Sequence, residues 1–247
     1  MKIYHSDEFE FLDSLQGEAL EQPKSFQDGK NKRNYNCPKK DSSIAWIGKI
    51  SDNWEVAKIK NICKLQTGNT PSTSNPEWFD GDLNWFTPSD FTSFSLYNSY
   101  RKLSLKAKEE GVAVIIPANS VFIIGGTAGK IACCNFECSC NQQITALINP
   151  IIKYKFLMYA LVANSKYIKE TAFYTTLPIL NNQTIGNFKI AYPKNLLEQQ
   201  AIADYLDAKC SEIDNLIAKK EQFLKEIETY KKSLIYEYVT GKKEVEN

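Results

Sequence analysis

Residues 197–240 read LEQQAIADYLDAKCSEIDNLIAKKEQFLKEIETYKKSLIYEYVT, and neither proline nor glycine interrupts this run before Gly241. Glycine commonly follows the last residue of a helix, so the stretch predicts one continuous helix that ends near Gly241. A helix of about 42 residues is roughly 63 Å long at 1.5 Å per residue. The rest of the chain is too small to bury such a rod along its whole length.

Apolar residues along this helix are separated by four, seven, three, seven, four, three and four positions, which is the spacing of a heptad seam. Lys209 and Lys220 occupy the two skipped seam positions. The seam predicts a partner helix, supplied by another chain or by residues 1–37, and the alternative is a helical hairpin folded onto its own domain. The predicted pairing residues are Ile202, Leu206, Ile213, Leu216, Phe223, Ile227, Tyr230 and Leu234.

Upstream of the helix, short β-rich runs alternate with turn residues. The pattern predicts a helix at Phe156–Lys169 and strands at Val112–Ile116, Val121–Ile124, Thr145–Ile148 and Phe188–Tyr192. The predicted fold class is therefore α+β, with a strand-rich mixed domain followed by a long C-terminal helix that forms a coiled coil. Three segments follow from this pattern: a polar N-terminal arm of unknown role at 1–43, a domain at 44–195 and the helix at 196–243.

The overall charge does not indicate a partner, because 30 basic and 29 acidic residues leave a formal charge of +1. Residues 54–193 hold 13 basic and 9 acidic side chains, a bias of +4 (13 − 9) that permits a nucleic-acid surface. The longest apolar run, Phe156–Ala163, is too short to span a bilayer, and Met1–Glu10 lacks the apolar core of a signal peptide. We therefore expect a cytoplasmic protein with no membrane partner.

Cysteine and histidine usage argues against a metal site. Seven cysteines are an odd number for a disulfide framework, and Cys133, Cys134, Cys138 and Cys140 are not arranged as two separated pairs. This spacing favours a cysteine-rich strand and turn in a reducing compartment. His5, the single histidine, lies in a polar segment, so histidine acid–base catalysis is not expected.

Several well-known catalytic signatures are absent from the sequence. No Walker phosphate loop, dinucleotide-binding turn or nucleophile elbow occurs, and residues 125–130 (GGTAGK) are typical of a glycine turn between strands. Asp80, Asp82 and Asp90 are interpreted as solvated acids rather than a metal cluster. The chain is predicted to bind rather than to catalyse. The alternatives are an autonomous metal-dependent nuclease and a coiled-coil assembly protein that binds no nucleic acid.

An ordered set of motifs resembles the specificity subunits of type I restriction–modification systems. The resemblance covers about residues 40–243, and its motifs are specific mainly through their order and spacing. They are Lys40–Ile50 with Asn53–Val56, Gln66–Ser72, Asn84–Asp90, Asn141–Ile144, Ile190–Pro193, Glu198–Asp207 and Val239–Lys242.

This resemblance implies a DNA target-recognition domain at 44–195 and, at 196–243, the family's long helix for dimerisation and methyltransferase docking. Family members usually carry two such units, whereas this chain holds one and resembles a half-size subunit that pairs with a second copy. Two-fold pairing would specify a bipartite, palindromic site on double-stranded DNA. The implied partners are the methyltransferase and restriction endonuclease subunits. S-adenosylmethionine and the catalytic residues would belong to the methyltransferase, so this chain would be non-catalytic and hold no cofactor.

Candidate DNA contacts lie in the predicted loops and strand ends. Hydroxyl and amide groups near residues 67–73 and 87–90 suit phosphates and base edges, although Gly68 and Pro71 would also set a turn and Asp90 would also cap one. Arg101 suits guanine, and the lysines suit phosphate unless they are merely solvated. The candidate residues are Thr67, Gly68, Asn69, Thr70, Ser72, Thr73, Thr87, Ser89, Asp90, Arg101, Lys102, Lys130, Tyr174, Thr175 and Thr176.

Overall fold

The computed structural model describes residues 38–125, 130–170, 173–174 and 178–245. The chain divides into two compact units, Met1–Gln200 and Ala201–Asn247. The first is strand-rich and the second is formed almost entirely by one helix, which confirms the predicted α+β class. No helix among the described residues is long and apolar enough to cross a membrane.

The elements follow one another along the chain without a repeated unit. The strands are β1 Lys39–Asp41, β2 Lys49–Ser51, β3 Trp54–Lys58, β4 Lys64–Thr67, β5 Phe79–Phe86, β6 Arg101–Leu103, β7 Ile115–Ile116, β8 Ser120–Ile124, β9 Ile131–Cys134, β10 Cys138–Cys140, β11 Ile144–Ile148, β12 Phe173–Tyr174, β13 Pro178–Ile179 and β14 Lys189–Pro193. The helices are α1 Ile59–Ile62, α2 Leu105–Glu109, α3 Tyr154–Ala163, α4 Ser165–Glu170, α5 Asn182–Asn187 and α6 Leu196–Val239, and 3₁₀ turns occur at Pro76–Trp78 and Pro88–Asp90.

Two four-stranded sheets enclose the main core of the first unit. Their strand orders are β6-β5-β10-β7 and β4-β11-β8-β9, and the only parallel neighbours in the described ladders of these sheets are β5 and β10. Strands β8, β9, β10 and β11 are buried at every position, since both of their faces are covered. Side chains from both sheets, including Phe86, Phe122 and Ile144, form one buried apolar cluster. Three further two-stranded ladders are β1-β2, β3-β14 and β12-β13.

The predicted strand at Val112–Ile116 is wrong over its first three residues. Only Ile115–Ile116 forms a strand, because the side chain of Asn69 takes the backbone groups that a ladder would use. Its Nδ2 donates to the carbonyl oxygen of Val112 at 2.6 Å, and its Oδ1 accepts from the amide of Val114 at 2.9 Å.

The predicted helix at Phe156–Lys169 is two helices, α3 and α4, that divide at Asn164. The Asn164 side chain donates to the carbonyl oxygen of Ala160 at 2.7 Å, a local bond that competes with the regular helical pattern. The other predicted strands are confirmed with ends shifted by at most one residue, at β8, β11 and β14. The arm at 1–43 is described only from residue 38, where β1 pairs with β2.

Candidate nucleic-acid interface

The loop after β4 is built by close packing of its backbone. A Cβ atom on Gly68 would lie 2.1 Å from the carbonyl oxygen of Cys140, so only glycine fits there. The Gly68 amide donates to Ile144 O at 3.1 Å, and the Asn69 amide donates to Cys140 O at 2.9 Å. Gly68 and Asn69 are therefore committed to internal contacts that shape this loop.

The tip of the same loop carries exposed hydroxyl groups. Thr70, Ser72 and Thr73 are exposed, with Thr70 donating to Gln142 and Ser72 bonded to Ser74 at 2.7 Å. Thr67 is half-buried and donates to Asn182 Oδ1 at 3.2 Å. In this loop, Gly68 and Asn69 thus pack inward, whereas the hydroxyls of Thr70, Ser72 and Thr73 are exposed and can face a ligand.

Asp90 joins the turn after β5 to the segment before β6. Its Oδ2 accepts from both the amide and the hydroxyl of Thr87 at 2.7 Å, and its Oδ1 accepts from the amide of Tyr100 at 2.8 Å. The Thr87 hydroxyl also contacts Ser89 Oγ at 2.8 Å, and Ser89 itself is exposed. Asp90 consequently positions this surface, as the capping alternative predicts.

Asp90→Ala is expected to lower the free energy of unfolding by about 1–2 kcal/mol, because the two segments lose their shared acceptor. Urea denaturation followed by circular dichroism measures the change. Asp82→Ala is the matched control, since Asp82 is an exposed carboxylate on β5, and its effect should stay within about 0.5 kcal/mol. Equal effects of the two substitutions would contradict the positioning role of Asp90.

Arg101 lies at the start of β6 on an aromatic surface. Its guanidinium carbon is 4.9 Å from the ring centre of Phe79 and 5.1 Å from that of Trp85. Cation–π stacking orients the group, and no described residue forms a hydrogen bond or ion pair with its N–H groups. Arg101 is therefore held in place with its donors available.

The remaining candidate residues do not all join this surface. Lys102 is half-buried opposite Asn84, and Lys130 is half-buried with its Nζ 3.5 Å from the carbonyl oxygen of Phe91. Tyr174 lies on β12, but its side chain is outside the described part of the structure. Thr175 and Thr176 are likewise outside the described residues.

Two exposed residues beside Arg101, Tyr97 and Asn98, are missing from the sequence-based candidates. Tyr100, which precedes Arg101, is also missing from those candidates, and 94% of its surface is exposed. The sequence signal for these positions is a tyrosine flanked by serine and asparagine in a turn-rich stretch. Such a tyrosine has few apolar neighbours along the chain to pack against, so its ring is expected to be exposed.

The cysteine cluster is internal to the fold. Cys133, Cys134, Cys138 and Cys140 are all buried, and the sulfur atoms of Cys134 and Cys138 are 3.7 Å apart. Burial raises the pKa of the Cys140 thiol to about 12, which opposes the thiolate form that metal binding requires. Within the described ranges, no group of three or more His, Cys, Asp or Glu side chains is placed to hold a metal ion.

The first turn of α6 is anchored within the first unit by two adjacent side chains. Glu198 accepts from Trp54 Nε1 at 3.0 Å and from Asn53 Nδ2 at 3.3 Å. Gln199, only 1% exposed, donates to Pro193 O and accepts from the amide of Lys153, both at 2.7 Å. The Glu-Gln pair thereby fixes where the helix begins.

Helix α6 extends over 44 residues, close to the predicted bounds. At 1.5 Å per residue it is about 66 Å long. Five of the eight predicted pairing residues are large side chains that are exposed, and the other three are intermediate. The exposed ones are Ile213, Leu216, Phe223, Ile227 and Tyr230, and the intermediate ones are Ile202, Leu206 and Leu234.

Comparison with known proteins gives one consistent family. The model of the type I restriction modification DNA specificity domain matches residues 51–229. The type I restriction enzyme MjaIX specificity subunit of Methanocaldococcus jannaschii is 30% identical over 183 residues, which are 71% of this chain and 41% of that protein. The EcoDI specificity subunit of Escherichia coli is 26% identical over 189 residues, which are 76% of this chain and 38% of that protein. The chain thus spans about two fifths of the length of these curated relatives.

Solved structures agree with the fold. A chain from a study of complex assembly and conformational transition of the type I R-M system aligns with a TM-score of 0.63 and 16% identity, covering 94% of this chain and 52% of that one. The crystal structure of the HsdS subunit from Thermoanaerobacter tengcongensis aligns with a TM-score of 0.53 and 15% identity, covering 85% of this chain and 45% of that one. At this level of identity the likeness concerns the fold alone.

Proposed function

We propose a function from one premise: the chain belongs to the family of type I restriction–modification DNA specificity domains. In this proposal it is the non-catalytic DNA-recognition subunit of a type I restriction–modification complex. It pairs through its C-terminal helix, reads a bipartite palindromic site on double-stranded DNA and directs the methyltransferase and endonuclease subunits to that site.

The observation that carries the proposal is the exposed seam of α6. Leu216, Phe223 and Ile227 repeat at coiled-coil spacing and are exposed. In soluble proteins, helices with this pattern bury such residues against a partner helix. A second copy of the chain supplies a seam of identical composition. Pairing of two identical recognition domains gives a two-fold arrangement, and a two-fold reader requires two related half-sites.

A second set of apolar side chains broadens this face of the helix. Ile217, Leu224 and Ile235 each follow a seam residue by one position, and all three are exposed. A face wider than a two-helix seam supports contact with additional helices. We assign that contact to the methyltransferase subunit, which in this proposal also holds S-adenosylmethionine and the catalytic residues.

The first unit supplies the proposed DNA-reading surface. The exposed hydroxyls of the 70–73 loop and the oriented guanidinium of Arg101 are groups that phosphates and base edges accept. The buried cysteines offer no support for an autonomous metal-dependent nuclease. A coiled-coil assembly protein without nucleic-acid binding is distinguished by experiment, because it would show no salt-dependent affinity for DNA.

The proposal is tested by forming the complex of the full chain with a type I methyltransferase subunit from the same genome and selecting DNA from a random library. We expect enrichment of a split sequence whose affinity falls as salt rises. A complex that enriches no sequence, or a chain that never joins the methyltransferase, would refute it.

Arg101→Ala is expected to weaken specific binding in that complex by about 1–3 kcal/mol and to relax the preference at one base pair, since a bidentate contact to guanine is lost. Selection with the variant complex measures both effects. Lys60→Ala, which removes an exposed cation on α1, serves as the control and should leave the selected sequence unchanged. An unaltered preference with Arg101→Ala would remove Arg101 from the interface.

A further inference from the structure

The segment before β6 presents aromatic and amide groups outward while its backbone faces the core. Leu96 and Ser99 are each 3% exposed, whereas Tyr97 and Tyr100 are 78% and 94% exposed. Asn98, between them, is also exposed, and no described residue forms a hydrogen bond with its side-chain amide. Two large rings and a free amide thus stand on one short stretch of chain.

The backbone of this segment is fixed by its two buried residues. The Leu96 amide donates to the carbonyl oxygen of Cys133, a residue of β9, at 2.8 Å. The amide and hydroxyl of Ser99 both lie 3.1 Å from Asn84 Oδ1, and Ser99 Oγ accepts from the Trp85 amide at 3.0 Å. Because the backbone is already held in this way, binding does not have to order it, and the entropy cost is confined to the side chains.

Asp90 and Arg101 set the chemical character at the end of the segment. The carboxylate of Asp90 accepts hydrogen bonds from the Tyr100 amide and from the amide and hydroxyl of Thr87. These donors stabilise its negative charge. The guanidinium of Arg101 rests on two rings with its donors available. The segment therefore presents a cation, an amide and two phenol rings. This combination suits DNA, which offers phosphates and base edges, better than it suits an apolar groove on a protein.

We propose that Tyr97, Asn98 and Tyr100, together with Arg101, form the base-reading segment of this domain, with Asn98 as a specificity-determining residue for an adenine. The inference rests on the proposed function. An asparagine amide pairs with adenine through one donor and one acceptor at N7 and N6 in the major groove. The flanking rings pack against sugar and thymine methyl groups, and their hydroxyls reach phosphate oxygens.

The test uses the complex of the full chain with the methyltransferase subunit. It compares the DNA selected by wild type, by Asn98→Ala and by a double variant that combines Tyr97→Ala and Tyr100→Ala. We expect Asn98→Ala to weaken binding to the selected site about five- to 150-fold and to abolish the preference at one A·T pair. The tyrosine double variant should lose affinity, and the corresponding double substitution by phenylalanine should recover most of the affinity that depends on ring packing. Asn61→Ala, at another exposed asparagine on α1, should change neither quantity.

The outcomes separate this inference from the proposed function. A wild-type complex that selects a sequence, with Asn98→Ala selecting the same sequence at equal affinity, overturns the reading segment and leaves the function standing. Tyrosine variants that fail to join the methyltransferase but fold normally by circular dichroism would show a protein-docking surface and also overturn it. A wild-type complex that selects no sequence refutes the proposed function itself.

Discussion

Leu216→Asp combined with Ile227→Asp is expected to abolish the self-association that we propose for α6 and to leave a monomer. Both residues are exposed on α6 and lie at seam positions of the heptad pattern. In a helix pair, each substitution removes about 2 kcal/mol of apolar burial and places a carboxylate in a low-dielectric seam without a partner. Two-fold pairing repeats this loss on the second chain, so association should weaken at least about 1000-fold.

Sedimentation equilibrium of the full chain measures this effect, and circular dichroism verifies that the helix persists. The matched control is Ser211→Asp with Gln222→Asp, which adds the same two charges at positions outside the seam. The control should self-associate like wild type. A double seam variant that remains dimeric would show that pairing does not use this face of α6.

Gln199→Ala is expected to destabilise the first unit by about 3 kcal/mol. The glutamine side chain is almost fully buried and satisfies the carbonyl oxygen of Pro193 and the amide of Lys153. Its loss leaves both backbone groups buried without partners, and each such group costs about 1–3 kcal/mol. The same change also leaves a cavity where the amide stood.

Urea denaturation measures the difference in the free energy of unfolding. Gln222→Ala is the matched control, because Gln222 is an exposed glutamine of the same helix that bonds only Glu226, at 3.0 Å, among the described residues. Its effect should stay within about 0.5 kcal/mol. Similar effects at the two positions would mean that Gln199 does not anchor the start of α6.

The long helix was predictable because its signals are local and periodic. A run without proline or glycine, apolar residues at heptad spacing and a terminal glycine predict the bounds found for α6. The strands β8 and β11 were predictable for a similar reason, since each is a short β-branched run closed by turn residues.

Features that depend on contacts between distant residues were not predictable. The strand at Val112–Ile116 is shortened by the side chain of Asn69, which is 43 residues from Val112 in the chain. The inward role of Gly68 likewise depends on the backbone of Cys140. Periodicity cannot report such contacts, because it describes only neighbours along the chain.

The candidate DNA contacts were predicted by residue chemistry, and the structure adds which groups are free. Arg101 is oriented and available, whereas Asn69 and Asp90 are occupied by internal hydrogen bonds. Tyr97 and Asn98 become candidate DNA contacts only because the structure shows them exposed on a fixed backbone. Exposure of a loop residue is decided by the packing of its neighbours, so single residue types could not reveal it.

The most direct measurement for the DNA-specificity account is the methylation pattern produced when the full chain is co-expressed with a type I methyltransferase subunit from the same genome. Genome-wide sequencing of modified bases, with native mass spectrometry of the complex, gives the site and the subunit ratio together. We expect two copies of each subunit and methylation of one split palindrome. Methylation of a continuous asymmetric site, or no methylation by an assembled complex, would contradict it.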